Sequence, residues 1–202
     1  MEHIYPIFDS LIQRQDRERL LRQRAKVVWL TGLSGSGKST LAQQLERQLH
    51  EEGFLAQVLD GDNIRSGINN NLGFSEADRM ENIRRIAEVA KLYLHTGVIT
   101  INAFISPSAA IRQLVRDVVG PTDFLEIFVD ASLELCEQRD VKGLYAKARS
   151  GVIRDFTGIN APWEPPAQPD LLIPTGKMTI PEATQLLYGF LLPHIQFTET
   201  DA

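Results

Sequence analysis

Short apolar runs alternate with helix-period segments from residue 26 onwards. The first run, KVVWLT at residues 26–31, is apolar on both faces, as buried strands of a parallel sheet are. Similar runs predict further strands at residues 57–59, 98–103, 124–129 and 171–173. Strands that alternate with helices are joined by right-handed crossovers, so we predict a three-layer α/β/α fold around a five-stranded parallel sheet.

Helix-capping residues indicate where two of the intervening helices begin. Ser75 stands three positions before Asp78, and Thr179 stands three positions before Glu182, which is the spacing of an N-terminal capping box. In a parallel sheet of this kind, ligands bind beyond the carboxyl ends of the strands. That rule directs attention to the segments at residues 32–38, 60–62 and 104–107, and to the segment after residue 130.

Two segments differ from this alternating pattern. Residues 1–25 are predicted to form an N-terminal helical extension, because residues 14–22 carry interleaved opposite charges and a narrow apolar stripe. This helix fits either an electrostatic arm for an anionic partner or a solvated helix packed along one edge, and the interleaved charges favour the second interpretation. Residues 140–169 are basic at first and proline-rich later, which predicts a mobile lid rather than a packed element.

Composition and charge narrow the class of protein. The 202 residues are 43% hydrophobic and 23% charged, which is ordinary for a folded domain that needs no metal or disulfide to be stable. Cys136 is the only cysteine, so an intramolecular disulfide and a multi-cysteine zinc cluster are excluded. No signal-peptide pattern or membrane-span candidate is visible, which predicts a cytoplasmic protein without a membrane partner. The net charge of −5 gives no support to nucleic-acid binding.

Residues 32–39, GLSGSGKS, match the phosphate-binding pattern G-x-x-x-x-G-K-[ST] between a predicted strand and a predicted helix. Glycines let backbone N–H groups approach phosphate oxygens, and the helix N-terminus adds partial positive charge. We expect Lys38 to reach the β- and γ-phosphates of ATP and Ser39 to ligate its Mg²⁺. The predicted ATP contacts are Gly32, Leu33, Ser34, Gly35, Ser36, Gly37, Lys38, Ser39, Thr40 and Arg139.

The rest of the chain favours a small kinase over other nucleotide-binding proteins. No Asn-Lys-x-Asp guanine-reading motif occurs, and the chain has no room for the second domain of a motor or transporter ATPase. A kinase needs an acceptor pocket and a lid that excludes water. The sequence DGDN after the second strand places Asp60 and Asp62 opposite the phosphate loop, where carboxylates can hold the metal or accept a hydroxyl proton. The basic residues of the lid, including Lys142, are expected to cover the phosphates.

Arginines on the next helix predict an anionic acceptor. Arg79 and Asn82 are three positions apart and are expected to project together, away from the apolar stripe of their helix. With Arg65 they form a set suited to a phosphate- or sulfate-like group, which the planar guanidinium binds through its fork. Phe74 fits either a hydrophobic staple of the helix or a platform that stacks on an aromatic base.

Taken together, the motifs resemble the adenylylsulfate kinase family. The resemblance rests on TGLSGSGKST from Thr31, DGDNIRSGINNNLGFSEADRMENIRRIAEVAKL from Asp60, FISP from Phe104, RDVKGLYAKARSG from Arg139 and FTGINAPWEPP from Phe156. The resemblance extends over residues 29 to about 174. The long second block and the FISP block are far more specific than the phosphate loop alone.

The resemblance implies a P-loop kinase domain over residues 26–202, with its lid at about 140–169. It implies transfer of the γ-phosphoryl group from Mg²⁺–ATP to the ribose 3′-hydroxyl of adenosine 5′-phosphosulfate. The product would be 3′-phosphoadenosine 5′-phosphosulfate, which serves sulfate assimilation or sulfation. It further implies a homodimer, and ATP sulfurylase is a candidate partner.

The resemblance also assigns roles to individual residues. Lys38, Asp62 and Ser106 would be catalytic, and Ser39 and Asp60 would hold Mg²⁺. Ser106 matches the serine commonly assigned as a phosphoserine intermediate, whereas Asp62 is the competing candidate as general base for direct transfer. The chemistry of phosphoryl transfer favours the direct route, because it needs positioning and charge neutralisation more than a covalent relay. The implied substrate contacts are Asp62, Arg65, Phe74, Arg79, Asn82, Ile105, Ser106, Lys142, Leu144 and Phe156, with Phe74 and Phe156 on either side of the adenine.

One departure and two alternatives complete the sequence-based prediction. After FISP the chain reads SAAIR, which keeps only Arg112 of the basic residues usual there in the family. Another small-molecule kinase of the same fold remains an alternative, as does a nucleotide-binding regulator that has lost catalysis. The regulator is disfavoured because the expected catalytic and metal-binding residues are all present, namely Lys38, Ser39, Asp60, Asp62 and Ser106.

Overall fold

A computed structural model describes residues 3–198 of the chain. Its strands are β1 (Val27–Thr31), β2 (Ala56–Asp60), β3 (Ile99–Ala103), β4 (Phe124–Asp130) and β5 (Leu171–Pro174). Its α-helices are α1 (Arg14–Leu21), α2 (Lys38–Glu51), α3 (Gly61–Ser66), α4 (Glu76–His95), α5 (Ala109–Val119), α6 (Leu133–Arg139), α7 (Leu144–Arg149) and α8 (Ile180–Ile195). The alternation of apolar runs and helical segments is therefore confirmed as an α/β fold.

The five strands form one parallel sheet in the order β2-β3-β1-β4-β5. Strand β1 lies at the centre and is buried along its whole length, which explains its apolar composition on both faces. Because all strands run in the same direction, their carboxyl ends meet at one edge. The phosphate loop, the DGDN segment and the FISP segment all leave the sheet at that edge.

Each face of the sheet packs against helices, because successive side chains of a strand point to opposite faces. Val28 and Leu30 of β1 belong to one apolar core, which α2 and α8 cover. Val27 and Trp29 belong to the other core, which α4 and α5 cover. The predicted three-layer arrangement is confirmed.

The predicted cap residues begin their helices. The Ser75 hydroxyl accepts a hydrogen bond from the backbone N–H of Asp78 at 3.1 Å, and α4 starts directly after Ser75, at Glu76. Thr179 and Glu182 form a reciprocal capping box at the start of α8. Within residues 3–198, the structure holds no helix with the length and apolar character needed to cross a membrane.

The segment predicted to lack packed structure is partly ordered, so that expectation is wrong for residues 144–149, which form α7. The carboxylate of Asp140 accepts hydrogen bonds from the backbone N–H groups of Tyr145 and Ala146, which fixes the start of the helix. Tyr145 and Phe156 are buried in a third apolar cluster with Leu33 of the phosphate loop. The charge and proline content of the segment obscured these few apolar anchors.

Helix α1 is attached by polar contacts to the amino-terminal edge of the sheet. Arg14 forms an ion pair with Asp123 at 2.6 Å, and Glu18 accepts the backbone N–H of Ala25 at 2.7 Å. The helix passes so close to Gly97 that a Cβ there would lie 3.3 Å from the carbonyl carbon of Arg17 and from the backbone nitrogen of Glu18. These contacts are those of a helix packed along one edge.

Candidate active site

The phosphate loop connects β1 to α2 and needs glycine for steric reasons. A Cβ on Gly32 would lie 2.4 Å from the carbonyl oxygen of Val129, so only glycine allows β1 and β4 to approach so closely there. Gly37, with φ +105°, is the N-cap of α2, and no side chain caps this helix end. The first turn of α2 therefore presents its N–H groups and its partial positive charge toward the loop.

Lys38 lies inside the loop that precedes it. The side chain is buried, and its Nζ donates hydrogen bonds to the carbonyl oxygens of Gly32 at 2.9 Å and Leu33 at 2.7 Å. Burial lowers the pKa of Lys38 to about 8, because the charged form is desolvated. An anionic phosphate group near this nitrogen would stabilise the charged form.

Ser39 and Asp60 meet at the carboxyl ends of β1 and β2. The Ser39 hydroxyl donates to Asp60 Oδ2 at 2.6 Å, while Oδ1 of Asp60 accepts the backbone N–H of Asp62 at 3.0 Å. Hydroxyl and carboxylate oxygens are the ligands that Mg²⁺ prefers, and this ion commonly takes only one or two protein ligands together with phosphate oxygens and water. In the described residues, no group of three or more His, Cys, Asp or Glu side chains could hold a metal. The Ser39–Asp60 pair thus fits a magnesium ion delivered with its nucleotide.

Asp62 and Lys142 form an ion pair across the opening of the site. Asp62 lies in the first turn of α3, and Lys142 lies in the loop between α6 and α7. Both side chains are exposed. The structure thereby brings together two predicted substrate-binding residues that are 80 positions apart in the sequence.

A half-buried Arg65 and an exposed Phe74 form a second pair. The guanidinium carbon of Arg65 lies 4.4 Å from the centre of the Phe74 ring, and Arg65 Nη1 donates to the carbonyl oxygen of Gly73 at 2.9 Å. The Phe74 side chain is 64% exposed, which leaves its ring accessible to a ligand. Burial lowers the pKa of the Arg65 guanidinium, and the positive charge of Arg79 lowers it further. Two cations held this close favour an anion between them.

Arg79 connects the start of α4 to the segment that follows α7. Its Nε donates to the carbonyl oxygen of Phe74 at 3.0 Å, and its Nη1 donates to Thr157 Oγ1 at 2.8 Å. Its Nη2 donates to the carbonyl oxygen of Asp155. Arg79 therefore binds the segments of both aromatic residues that were predicted to hold the adenine.

Phe156 and Asn82 are more buried than the sequence predicts. Phe156 is 9% exposed and packs edge-to-face against Tyr145, with 5.0 Å between ring centres. Asn82 lies on the buried face of α4 beside Ile83, and its Oδ1 accepts a hydrogen bond from Asn69 at 3.0 Å. The expectation that Asn82 projects away from the apolar stripe is wrong. A buried amide is tolerated there because Asn69 satisfies it, and apolar periodicity alone does not reveal such a partner.

The FISP segment leaves β3 in an unusual conformation. Ser106 has φ +48°, a left-handed conformation that is uncommon for a residue other than glycine, and it is only 2% exposed. Its hydroxyl accepts a hydrogen bond from the indole Nε1 of Trp29 at 2.8 Å, and its carbonyl oxygen accepts one from Arg112 at 3.0 Å. The preceding carbonyl, of Ile105, accepts the Thr31 hydroxyl at 2.7 Å. Hydrogen bonds therefore hold both predicted substrate-binding residues of this segment, Ile105 and Ser106, in place.

Two residues at the site, Tyr145 and Thr175, carried no clear sequence signal. The Tyr145 hydroxyl donates to the carbonyl oxygen of Ser34 at 2.8 Å, and the Thr175 hydroxyl donates to that of Ser36 at 2.8 Å. Arg139 ends α6 and donates to the carbonyl oxygens of Gly35 at 3.2 Å and Thr175 at 3.0 Å. The phosphate loop is therefore braced by segments more than a hundred positions away, which no local motif can reveal.

A phosphate loop with a buried lysine, a Ser–Asp pair suited to Mg²⁺ and a facing set of arginines define a P-loop kinase. The family model described as adenylylsulphate kinase matches residues 24–174, which is most of the chain. The chain belongs to the adenylylsulphate kinase family. The resemblance carried by the sequence blocks is confirmed, and so is the activity class, an ATP-dependent kinase that transfers a phosphoryl group to a hydroxyl.

Individual relatives agree with this placement. The adenylyl-sulfate kinase of Bacteroides thetaiotaomicron is 60% identical over 194 residues, which cover 96% of each chain. The structure of the Mycobacterium tuberculosis APS kinase in complex with AMPPNP and APS has a TM-score of 0.81 and 50% identity, and the match covers 84% of this chain and 98% of that one. A hexameric APS kinase from Thiobacillus denitrificans has a TM-score of 0.64 and 31% identity, covering 86% of this chain and 30% of that one.

Proposed function

We propose that this chain transfers the γ-phosphoryl group of ATP directly to the 3′-hydroxyl of adenosine 5′-phosphosulfate. A bond forms between the 3′-oxygen and the γ-phosphorus while the bond to the β–γ bridging oxygen breaks, which yields ADP and 3′-phosphoadenosine 5′-phosphosulfate. The observation that carries the proposal is the position of residues 155–158. This segment is bonded to Arg79 on the acceptor side, and Phe156 packs with Leu33 of the phosphate loop on the donor side.

On the donor side, Lys38 and the N-terminus of α2 would bind the β- and γ-phosphates. Protonated Lys38 carries a full positive charge and the helix N-terminus a partial one, and both belong to the buried, rigid part of the fold. Ser39 and Asp60 would hold Mg²⁺, which supplies charge neutralisation on the phosphate oxygens when bound. Arg139 would stabilise the loop through its backbone contacts rather than reach the nucleotide from the lid.

On the acceptor side, Arg65 and Arg79 would bind the phosphosulfate, and the exposed Phe74 ring would stack on the adenine. Asp62 would accept the proton of the 3′-hydroxyl, because its carboxylate is exposed beside the phosphate loop and only its Oδ2 is paired with Lys142. Ile105, Leu144 and Phe156 would complete the walls of this subsite.

The surroundings of Ser106 favour direct transfer over a phosphoserine intermediate. A serine nucleophile needs a base that accepts its proton. In residues 3–198, the hydrogen-bond partner of the Ser106 hydroxyl is the indole N–H of Trp29, which donates and cannot accept. Ser106 would therefore bind the substrate through its hydroxyl rather than carry the phosphoryl group.

The proposed assembly is a homodimer. Several large apolar side chains near the N-terminus are exposed, and such patches often mark interfaces between proteins. They are Ile4, Tyr5, Ile7, Phe8 and Ile12. The oligomeric relative from Thiobacillus denitrificans also supports self-association within the family. Light scattering should give twice the 22.7 kDa mass of the chain.

The cytoplasmic location and an ATP sulfurylase partner stay predictions.

Release of ADP, measured with a panel of acceptors, tests the reaction. Adenosine 5′-phosphosulfate should support turnover, whereas AMP and sugar acids should not. Turnover with a sugar acid alone would favour another kinase of this fold, and no turnover with any acceptor would favour a regulator. Incubation with ATP alone followed by mass spectrometry should leave Ser106 unmodified. Stoichiometric phosphoserine that passes its phosphoryl group to the acceptor would overturn direct transfer.

A further inference from the structure

Ser106 is held at its side chain and at its backbone by two residues from different elements. Trp29, in the central strand β1, contacts the hydroxyl, and Arg112, in α5, contacts the carbonyl oxygen. Arg112 is itself fixed by an ion pair with Glu126 of β4 at 2.9 Å. A left-handed non-glycine residue persists only where its surroundings determine its conformation, and such residues cluster at functional sites.

The Trp29 contact determines how the Ser106 hydroxyl can be used. An indole N–H can only donate, whereas a hydroxyl both donates one hydrogen and accepts at two lone pairs. The bond from Trp29 therefore occupies a lone pair of Oγ and directs the hydroxyl hydrogen away from the indole. Among the residues that the structure describes, the Ser106 hydroxyl has no hydrogen-bond acceptor for this hydrogen, although the residue is 2% exposed.

We propose that Trp29 is a positioning residue of the kinase reaction, which acts through Ser106 and orients its hydroxyl to donate to an oxygen of the acceptor substrate. This inference rests on the substrate-binding role proposed for Ser106 above. Trp29 is suited to the task because it is fully buried and its ring stacks on Phe104 at 5.3 Å between ring centres. The indole therefore cannot follow movements of the ligand and holds the hydroxyl in one direction.

A double-mutant cycle of Trp29→Phe and Ser106→Ala tests whether Trp29 acts through the hydroxyl. In the wild-type background, Trp29→Phe should raise the KM for adenosine 5′-phosphosulfate or lower kcat by about three- to tenfold, the loss expected for one hydrogen bond. The KM for ATP should stay unchanged. In the Ser106→Ala background, where Oγ is absent, the same substitution should change neither value by more than about twofold.

The possible results distinguish the substrate-binding role of Ser106 from the positioning role of Trp29. If Ser106→Ala alone leaves kcat and both KM values unchanged, Ser106 has no substrate role, and both that role and this inference are overturned. If Ser106→Ala impairs the acceptor step but Trp29→Phe causes the same loss in both backgrounds, only the inference is overturned. Loss of the Trp29 effect in the Ser106→Ala background supports it.

A matched control removes packing around Trp29 without touching its N–H. Phe124 also contacts the indole, with 6.3 Å between ring centres, and lies on β4. Phe124→Leu should lower the Tm while the KM for the acceptor stays unchanged. If Trp29→Phe does not fold, 3-benzothienylalanine at position 29 keeps the ring shape and removes only the N–H. The Trp163→Phe background makes position 29 its only site of incorporation, because the chain has two tryptophans. If the protein with 3-benzothienylalanine at position 29 has the same kinetics as its Trp163→Phe parent, the inference is also overturned.

Discussion

On the donor side of the site, Lys38 is buried and held by carbonyl oxygens of its own loop, whereas on the acceptor side Asp62, Lys142 and Phe74 are exposed. The phosphate-binding part of the donor side is one continuous segment from the end of β1 to the start of α2, although distant residues such as Tyr145 and Thr175 brace it. The acceptor side depends on contacts between segments about 80 positions apart, such as Asp62 with Lys142 and Arg79 with Thr157. Donor binding therefore depends mainly on a rigid local motif, whereas acceptor binding depends on how the lid segment is assembled.

The largest effect should come from the donor side. Lys38→Ala is expected to lower kcat by about a hundredfold or more, because a preorganised charge on the transferred phosphoryl group is lost. The protein should remain folded, since the lysine contacts loop carbonyls rather than the apolar cores. Steady-state kinetics and circular dichroism measure both. Lys91→Ala, on α4, is the control and should retain full activity. A folded Lys38→Ala protein within about tenfold of wild type would contradict the donor assignment.

Arg79→Ala should separate the two sides. Loss of a charged group that binds the acceptor is expected to raise the KM for adenosine 5′-phosphosulfate by about ten- to a hundredfold, while the KM for ATP changes little. Arg79→Lys should not restore the value, because an ammonium group cannot make the three contacts of the guanidinium fork.

Arg84→Ala is the control for Arg79 on the same helix. Arg84 is exposed and pairs with Glu81 at 2.7 Å, so its removal should leave both KM values unchanged. If the Arg79 and Arg84 variants behave alike, the acceptor effect is one of general surface charge and the specific assignment is wrong.

Phe156 lies where the two sides meet, and Phe156→Ala sharpens the comparison. If the ring stacks on the adenine, the KM for the acceptor should rise by about tenfold and the KM for ATP should stay nearly unchanged. The Tm should also fall, because the ring packs on Tyr145 and a cavity remains. Phe74→Ala, at an exposed position, should raise the acceptor KM without lowering the Tm. Equal losses for ATP and acceptor in Phe156→Ala would mean that this ring only packs the lid segment onto the phosphate loop.

The smallest effect concerns pH and the buried lysine. Burial lowers the pKa of Lys38 from 10.5 to about 8, so between these values the unfolded chain holds a proton that the folded chain has lost. The free energy of unfolding contributed by this group therefore rises with pH in that window. The Tm of the wild type, relative to Lys38→Ala, should increase between about pH 8 and about pH 10. Parallel Tm curves for the two proteins would contradict the assignment of a buried, perturbed lysine.

The donor side could be predicted from sequence because its determinants are contiguous. The apolar run of β1, the glycines and Lys38 stand within twelve residues, and the spacing of the motif reflects the local geometry of strand, loop and helix. Residues 60–62 were also predictable, because they follow a recognisable strand. The sheet order was not, since it depends on which strands pair across long separations.

The acceptor side was predicted less well for the same physical reason. Asn82 was misassigned because its partner Asn69 lies outside the helix whose periodicity was analysed. The contacts of Trp29 and Arg112 with Ser106 were not predicted, because the three residues lie far apart in the sequence. From sequence alone, Trp29 is simply an apolar residue of a buried strand. Helix α7 was missed because its apolar anchors are few and its charges are many.

The sheet order has a consequence for how the chain acquires its structure during synthesis. In the described part of the chain, β1 pairs with β3 and β4. The backbone of Val27 therefore cannot form its β-sheet hydrogen bonds until its partner Thr100, 73 positions later, has been synthesised. Until β3 leaves the ribosome, the VVWLT segment is an unpaired apolar strand, a form prone to association with other chains. Long-range parallel pairing is also slow to form. We therefore expect the yield of folded protein to depend on chaperones that cover this strand during translation.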